Sequence, residues 1–343
     1  MNGMITAALI LSAVSGMFSQ VRQLQMLQQN SYFPSRYFKW LYASFTPCLA
    51  LEAVLFCVIS FRGSMQGNIA IAAVSLLLLA VRIPSAVRVQ KKSVKKLVFT
   101  ARIKRLLTAG VIILALFSVF AICFNGLFSE ICLTTAFMLS IVAPLLTLLC
   151  WLVTLPIEKA FTSWYINDAK RILREHSRLT VIGITGSFGK TTTKFILERI
   201  LSEHFNTVCT PQSFNTPMGV VRTVRGSLKP QTQMFICEMG AKNIGDIKEI
   251  CDIVHPQYGI ITSVGEQHLD TFKSVDNVFR TKFELADAVS SNGGITFVNA
   301  ESKAISQKIT ADRNDIIRFG FGTENRAENI RMGPSGSSFD LVL

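Results

Sequence analysis

Leu179-Thr180-Val181-Ile182-Gly183-Ile184-Thr185 is a short, β-branched apolar run that passes directly into Gly186-Ser187-Phe188-Gly189-Lys190-Thr191-Thr192. The first seven residues predict a buried strand, the glycines a turn, and the pattern from Lys190 to His204 a helix. Strand, glycine-rich turn and helix N-terminus in that order form a phosphate cradle, because backbone N–H groups and the helix dipole both face the anion. Lys190 would reach the terminal phosphates of ATP and the Thr191 hydroxyl would ligate Mg²⁺. Thr185, Gly186, Ser187, Gly189 and Thr192 complete the ATP-binding run. The full pattern G-x-x-x-x-G-K-[ST] is not met, since its first position is Ile184 and the nearest glycine is Gly183. Taken alone, Gly-Lys-Thr-Thr could be a chance turn with a helix cap; the flanking strand and helix favour nucleotide binding.

Downstream the texture repeats. Strands are predicted at Thr207–Thr210, Met234–Glu238, Tyr258–Val264, Ile295–Asn299 and Ile316–Phe319. Helices are predicted at Met218–Gly226, Ile244–Ile253, Val275–Val289 and Ser302–Ile309. Alternation of this kind predicts an α/β P-loop domain with a mostly parallel sheet and helices on both faces. Ligands then gather beyond the carboxyl ends of the strands.

Upstream the chain is different. It has 343 residues, 50% of them hydrophobic, with a mean hydropathy of +0.40. Apolar stretches occur at Met4–Phe18, Tyr42–Phe61, Asn68–Ala86, Leu107–Phe124 and Ile131–Leu155. A bilayer core needs ~20 helical residues, which the last four supply. The first is short and looks like a signal-peptide core, but no positive residue precedes it and no convincing cleavage site follows, so it is kept as a span and about five transmembrane helices are expected. Residues 1–160 hold 14 Lys and Arg against 3 Asp and Glu, whereas residues 161–343 hold 21 against 19, so +11 of the net +13 belongs to the first part. Basic segments 19–41 and 87–106 alternate with nearly neutral connectors at 62–67 and 125–130. That pattern predicts a multi-pass α-helical transmembrane region at 1–160, with the N-terminus outside and the ATP domain cytoplasmic. A linker helix would follow at 161–178 and the ATP-binding domain at 179–343.

The basic excess sits between apolar stretches, so no nucleic-acid partner is expected, and the 87–106 loop would instead meet anionic membrane lipid. A lone mid-span Glu52 is thin support for a transport pathway. The eight cysteines form no CxxC and no zinc spacing with histidine, and read as free thiols used as small apolar residues.

Several motifs then reach a family. The run Thr185–Thr192, which lacks the first glycine, resembles the phosphate loop of the Mur ligases, ATP-dependent amide-bond enzymes of peptidoglycan assembly. Ser213-Phe214-Asn215-Thr216-Pro217-Met218-Gly219, Glu238-Met239-Gly240-Ala241, Gly265-Glu266-Gln267-His268-Leu269-Asp270, Arg280-Thr281-Lys282-Phe283-Glu284 and Val298-Asn299-Ala300 follow in the family's order. The branch resembled most is the one that adds D-alanyl-D-alanine to the UDP-muramoyl-tripeptide. The resemblance covers about residues 178–343, which is the central ATP-binding domain.

The resemblance implies roles. Glu238 and Thr191 would hold Mg²⁺, with His268 helping a second metal. Lys282 matches a lysine that is carbamylated in many members. Asn215 and Thr216 lie on the substrate-side loop, and Asn299 on the adenine side. Without the family, His268 reads as a structural hydrogen-bonder, Lys282 as a helix-surface partner of an acidic neighbour, and Asn215–Gly219 as an ordinary turn before a helix. The implied activity is acyl activation by ATP followed by attack of D-Ala-D-Ala or another amine on a muramoyl-peptide or other envelope precursor. Lys190, Lys282 and His268 would be the catalytic set. The family's UDP-binding and third domains have no counterpart, and the end at Phe339–Leu343 reads as a strand within the central domain, so a truncated chain is expected. A capsule-type ligase acting on a polyglutamate or lipid-linked acceptor and a non-catalytic, ATP-binding membrane scaffold are the alternatives.

Overall fold

The computed structural model describes residues 20–30, 32–44, 96–123, 139–267, 269–309, 313–334 and 336–343. The chain divides into two compact units, Met1–Ala160 and Phe161–Leu343. In the first, a helical run over 20–29 precedes α1 (Pro34–Ser44), α2 (Ala101–Cys123) and α3 (Leu139–Glu175), the last of which continues into the second unit. Leu24, Leu27, Tyr37, Leu97, Ile103, Leu106, Leu146 and Cys150 form one buried cluster. Around it, Arg105 Nε donates to Glu158 at 2.6 Å, and the Arg102 guanidinium lies 3.9 Å from the Tyr32 ring centroid.

The expected membrane region is not confirmed among the described residues. Met4–Phe18, Asn68–Ala86 and all of Tyr42–Phe61 after Ser44 lie outside the described residues, as does the start of Ile131–Leu155. Among the described residues one helix, Ala143–Glu175, is long and apolar enough to cross a membrane, where five spans were expected. Its last turns carry Asp168, Arg171 and Glu175, paired with one another, and bury Ala169 against the α/β core. Arg102 and Arg105, read from the sequence as topology signals, are partners of Glu158 within a folded cluster.

The second unit is built on six strands: β1 (Thr180–Thr185), β2 (Thr207–Cys209), β3 (Met234–Glu238), β4 (Tyr258–Ile261), β5 (Ile295–Asn299) and β6 (Ile316–Phe319). They pair in the order β2-β3-β1-β4-β5-β6, every pair parallel. Parallel neighbours need crossovers, and helices supply them: α4 (Lys190–Leu201), α5 (Pro217–Ser227), α6 (Asp246–Val254), the single turn α7 (Leu269–Phe272), α8 (Val275–Ser291) and the single turn α9 (Lys303–Ser306). A hairpin of β7 (Arg326–Gly333) and β8 (Gly336–Val342) ends the chain as a separate two-stranded sheet.

Both sheet faces are covered. Because side chains alternate along a strand, Val181, Phe235 and Cys237 join Val220, Val224, Ile247, Ile250, Leu285 and Val289 on one side. Ile182, Ile184 and Ile236 turn the other way, against Leu197 and Leu201 of α4. Gly183 lets α8 approach, since a Cβ there would meet Leu285 at 2.6 Å. Strand order reverses about β1, so the crevice for ligands opens where β1, β3 and β4 end.

Gly294 offers a test of the β4–β5 register, because a Cβ there would stand 1.8 Å from the backbone oxygen of Gln257. Gly294→Ala is expected to lower unfolding stability in urea by about 1–3 kcal/mol. Gly226→Ala, whose added Cβ meets nothing within 4 Å on helix α5, is expected to be neutral or slightly stabilising.

Candidate functional site

The turn after β1 is scaffolded by the residues after β4. Gly186 has φ 152° and a Cβ there would meet the Thr262 hydroxyl at 2.0 Å, so only glycine fits. Thr262 Oγ1 donates to Phe188 O at 2.6 Å, Phe188 N–H donates to Ser263 Oγ at 2.9 Å, and Ser187 N–H donates to Ser263 O at 2.8 Å. Ser187 Oγ donates to Gly265 O at 3.2 Å. These bonds explain why β4 stops at Ile261 instead of running to Val264: residues 262–265 turn their polar groups to the loop. Gly189, left-handed at φ 80°, then opens α4.

Lys190 folds back over this loop, its Nζ 2.6 Å from Gly186 O and 3.4 Å from Ser187 O. Burial holds its ammonium below the usual lysine range, opposed by the charge of Glu238. Glu238 ends β3, opposite Ile184 in the β1 register, and is 1% exposed. Its Oε2 accepts from Thr191 Oγ1 at 3.0 Å and from Lys194 Nζ at 2.9 Å; its Oε1 accepts from Asn215 Nδ2 at 3.1 Å. Its own N–H donates to Thr210 Oγ1.

This arrangement fits a magnesium ion. Mg²⁺ takes octahedral oxygen ligands at 2.0–2.1 Å, which places neighbouring ligands about 2.9 Å apart. Thr191 Oγ1 and Glu238 Oε2 are 3.0 Å apart and both are hard oxygens. Among the described residues no three His, Cys, Asp or Glu cluster, so phosphates and water would complete the shell.

The remaining predicted residues are spread over the domain. Lys282 is buried rather than on a helix surface, donates no hydrogen bond among the described residues, and is held down at about 8, first by burial and then by Lys190. Its neighbour Glu284 accepts from Gly245 N–H and Lys248 N–H, capping α6, a structural role. Asn299 ends β5 and accepts from Glu301 N–H, Thr216 is the N-cap of α5 and accepts from Gly219 N–H, and Thr192 is exposed on α4. His268 lies outside the described residues. Sequence reasoning missed Lys194, Thr262 and Ser263; the only available signal was the placement of Lys194 one helical turn after Lys190. A groove of about 720 Å³ lies beside Thr216, lined in part by Phe214, Met218, Arg222 and Arg225.

A fully parallel sheet, a glycine turn on a helix N-terminus and a buried strand-end carboxylate define the class, a P-loop nucleotide-binding domain. More narrowly, residues 184–343 match the family model of the Mur ligase middle domain. Over 137 residues the chain is 38% identical to UDP-N-acetylmuramoyl-tripeptide--D-alanyl-D-alanine ligase of Mycobacterium bovis, covering 39% of this chain and 26% of that protein. It is 30% identical over 172 residues to the enzyme of the same name from Rickettsia prowazekii, covering 49% of this chain and 38% of that one. The crystal structure of MurF ligase from Thermotoga maritima in complex with ADP is 26% identical, with a TM-score of 0.48 over 52% of this chain and 42% of that one. The chain thus spans well under half the length of the curated relatives it matches.

These relatives also correct the expected placement. A multi-pass plasma-membrane protein with its N-terminus outside and membrane lipid as a partner is not supported: the relatives are named for a UDP-linked precursor, and among the described residues there is one candidate helix.

Two outcomes test the site. Gly186→Ala should weaken ATP binding at least tenfold in calorimetry, because the loop must move off Thr262. Lys282 gives a pH signature. Its folded value of about 8 lies below the ordinary 10.5, so between these the unfolded chain binds more protons and stability rises with pH. Below pH 8 the destabilisation is fully present. In bicarbonate-free buffer the stability difference between Lys282→Met and wild type should be largest below pH 8 and shrink toward pH 10.5.

Proposed function

We propose that this α/β domain is the ATP site of a ligase that joins D-Ala-D-Ala to the carboxylate of a UDP-muramoyl-tripeptide. The observation that carries the reading is the Lys190–Thr191–Glu238 constellation at the end of β1 and β3, within a Mur ligase middle domain. Lys190 would swing from the loop carbonyls onto the terminal phosphates of ATP. Thr191 and Glu238 would hold Mg²⁺, which supplies charge neutralisation between the phosphates.

The acceptor carboxylate oxygen attacks the γ-phosphorus, the bond to the β-phosphate oxygen breaks, and ADP leaves an acyl phosphate. The amine of D-Ala-D-Ala then attacks the acyl carbon, the C–O bond to phosphate breaks, and an amide, phosphate and a proton are released. Lys190 stabilises the charge that builds on the transferring phosphoryl group, since such transfer depends on positioning and electrostatics. Lys282, buried and lowered in pKa by its surroundings, has the neutral amine needed for carbamylation within reach of physiological pH. Asn215 bonds both to Glu238 and, through its carbonyl, to Gly240 N–H, so the substrate-side loop is tied to the metal side. The groove beside Thr216, lined in part by Arg222, suits an anionic peptide, whereas Arg225, which also lines it, is paired with Asp168. Asn299 is assigned to the adenine side.

Phosphate release by the purified protein is the test. It should require ATP, Mg²⁺, the UDP-muramoyl-tripeptide and D-Ala-D-Ala together, and should fall at least a hundredfold in Lys190→Ala. Release indifferent to both wall substrates would defeat the ligase reading.

A further inference from the structure

Lys194 has no part in the chemistry above, yet it is a fully buried lysine. It lies one helical turn after Lys190 on α4, and its Nζ donates to Glu238 Oε2 at 2.9 Å and to Gln212 O at 2.5 Å. The oxygen it holds is the one that faces Thr191, which is the oxygen assigned above to the metal.

We propose that Lys194 is a resident counter-ion for Glu238, which keeps a divalent cation from binding in the absence of nucleotide and so makes metal entry depend on the phosphates. The inference rests on the reading of Glu238 as a magnesium ligand. A buried carboxylate needs a compensating charge; Lys190 acts on Glu238 while donating to the loop carbonyls, and the groups that can sit directly on Oε2 are Lys194 and a metal. Both cannot sit on Oε2 cheaply. A cation about 2.1 Å from that oxygen would lie within a few ångströms of the ammonium, which is itself 2.9 Å from it. Phosphate oxygens relieve that repulsion, so metal and nucleotide should enter together. Lys194 cannot simply swing away to solvent: it is 0% exposed, held also by Gln212 O, and lies 4.6 Å from the Phe195 ring centroid.

Mn²⁺ binding followed by electron paramagnetic resonance, with no nucleotide or wall substrate present, separates the possibilities. Wild-type protein should bind Mn²⁺ weakly at this site, and Lys194→Met at least tenfold more tightly. Adding Glu238→Gln to Lys194→Met should remove that gain. Equal Mn²⁺ affinity in wild type and folded Lys194→Met, or a gain that survives Glu238→Gln, would overturn the proposal. Should Lys194→Met fold poorly, the double variant should recover the thermal midpoint, because no unpaired buried charge is left; a double variant as unstable as the single one would also overturn it. Glu238→Gln alone, tested for Mn²⁺ binding in the presence of ADP, reports separately on the metal reading: unchanged affinity there removes the premise and leaves the charge pair as structure only.

Discussion

The carboxylate of Glu238 is the group to which the other parts of the site are fastened. It is charged, almost completely buried and placed at a strand end, a combination that is stable only when every lone pair is answered. The answers come from separate pieces of chain: Thr191 and Lys194 from α4, and Asn215 from the loop before α5. Breaking a buried ion pair by removing one partner costs about 3–5 kcal/mol, so helix, strand and the loop before α5 are held in mutual register by one residue. The parallel pairing of β1 with β3 makes this possible by setting Ile184 opposite Glu238.

The same pairing accounts for the missing glycine of the phosphate loop. Ile184 is still a strand residue, fully buried, and its side chain packs in the cluster with Leu197 and Leu201 of α4. The sharp turn begins at Gly186, where φ is 152°. A glycine at position 184 would give up core contact and gain no needed conformational freedom. The close approach is moved instead to Thr262 and Ser263, whose hydroxyls bind the loop backbone.

Much of this was readable in the residues, for physical reasons. Met234–Glu238, Ile295–Asn299 and Ile316–Phe319 form strands over the predicted ranges, because short β-branched or aromatic runs between turn signals have few other options. Helix α4 ends at Leu201 rather than His204, and α9 shrinks to a single turn, since periodicity marks helices well and their ends poorly. The β7–β8 hairpin was seen only as its last strand. Lys194 was invisible because its meaning lies in a partner 44 residues away, and a lysine on an amphipathic helix otherwise reads as solvated. The apolar first part was the least legible: hydropathy and loop charge describe segments, whereas Arg105 and Glu158 meet only in three dimensions.

Acyl-phosphate formation is the step that distinguishes this ligase account from any other use of a phosphate loop. The direct measurement is trapping with hydroxylamine, using the protein with ATP, Mg²⁺ and UDP-muramoyl-tripeptide but no D-Ala-D-Ala. The expected result is ATP-dependent formation of the tripeptide hydroxamate, with one ADP released per hydroxamate and none formed by Lys190→Ala. ATP turnover at an undiminished rate with no hydroxamate would contradict it.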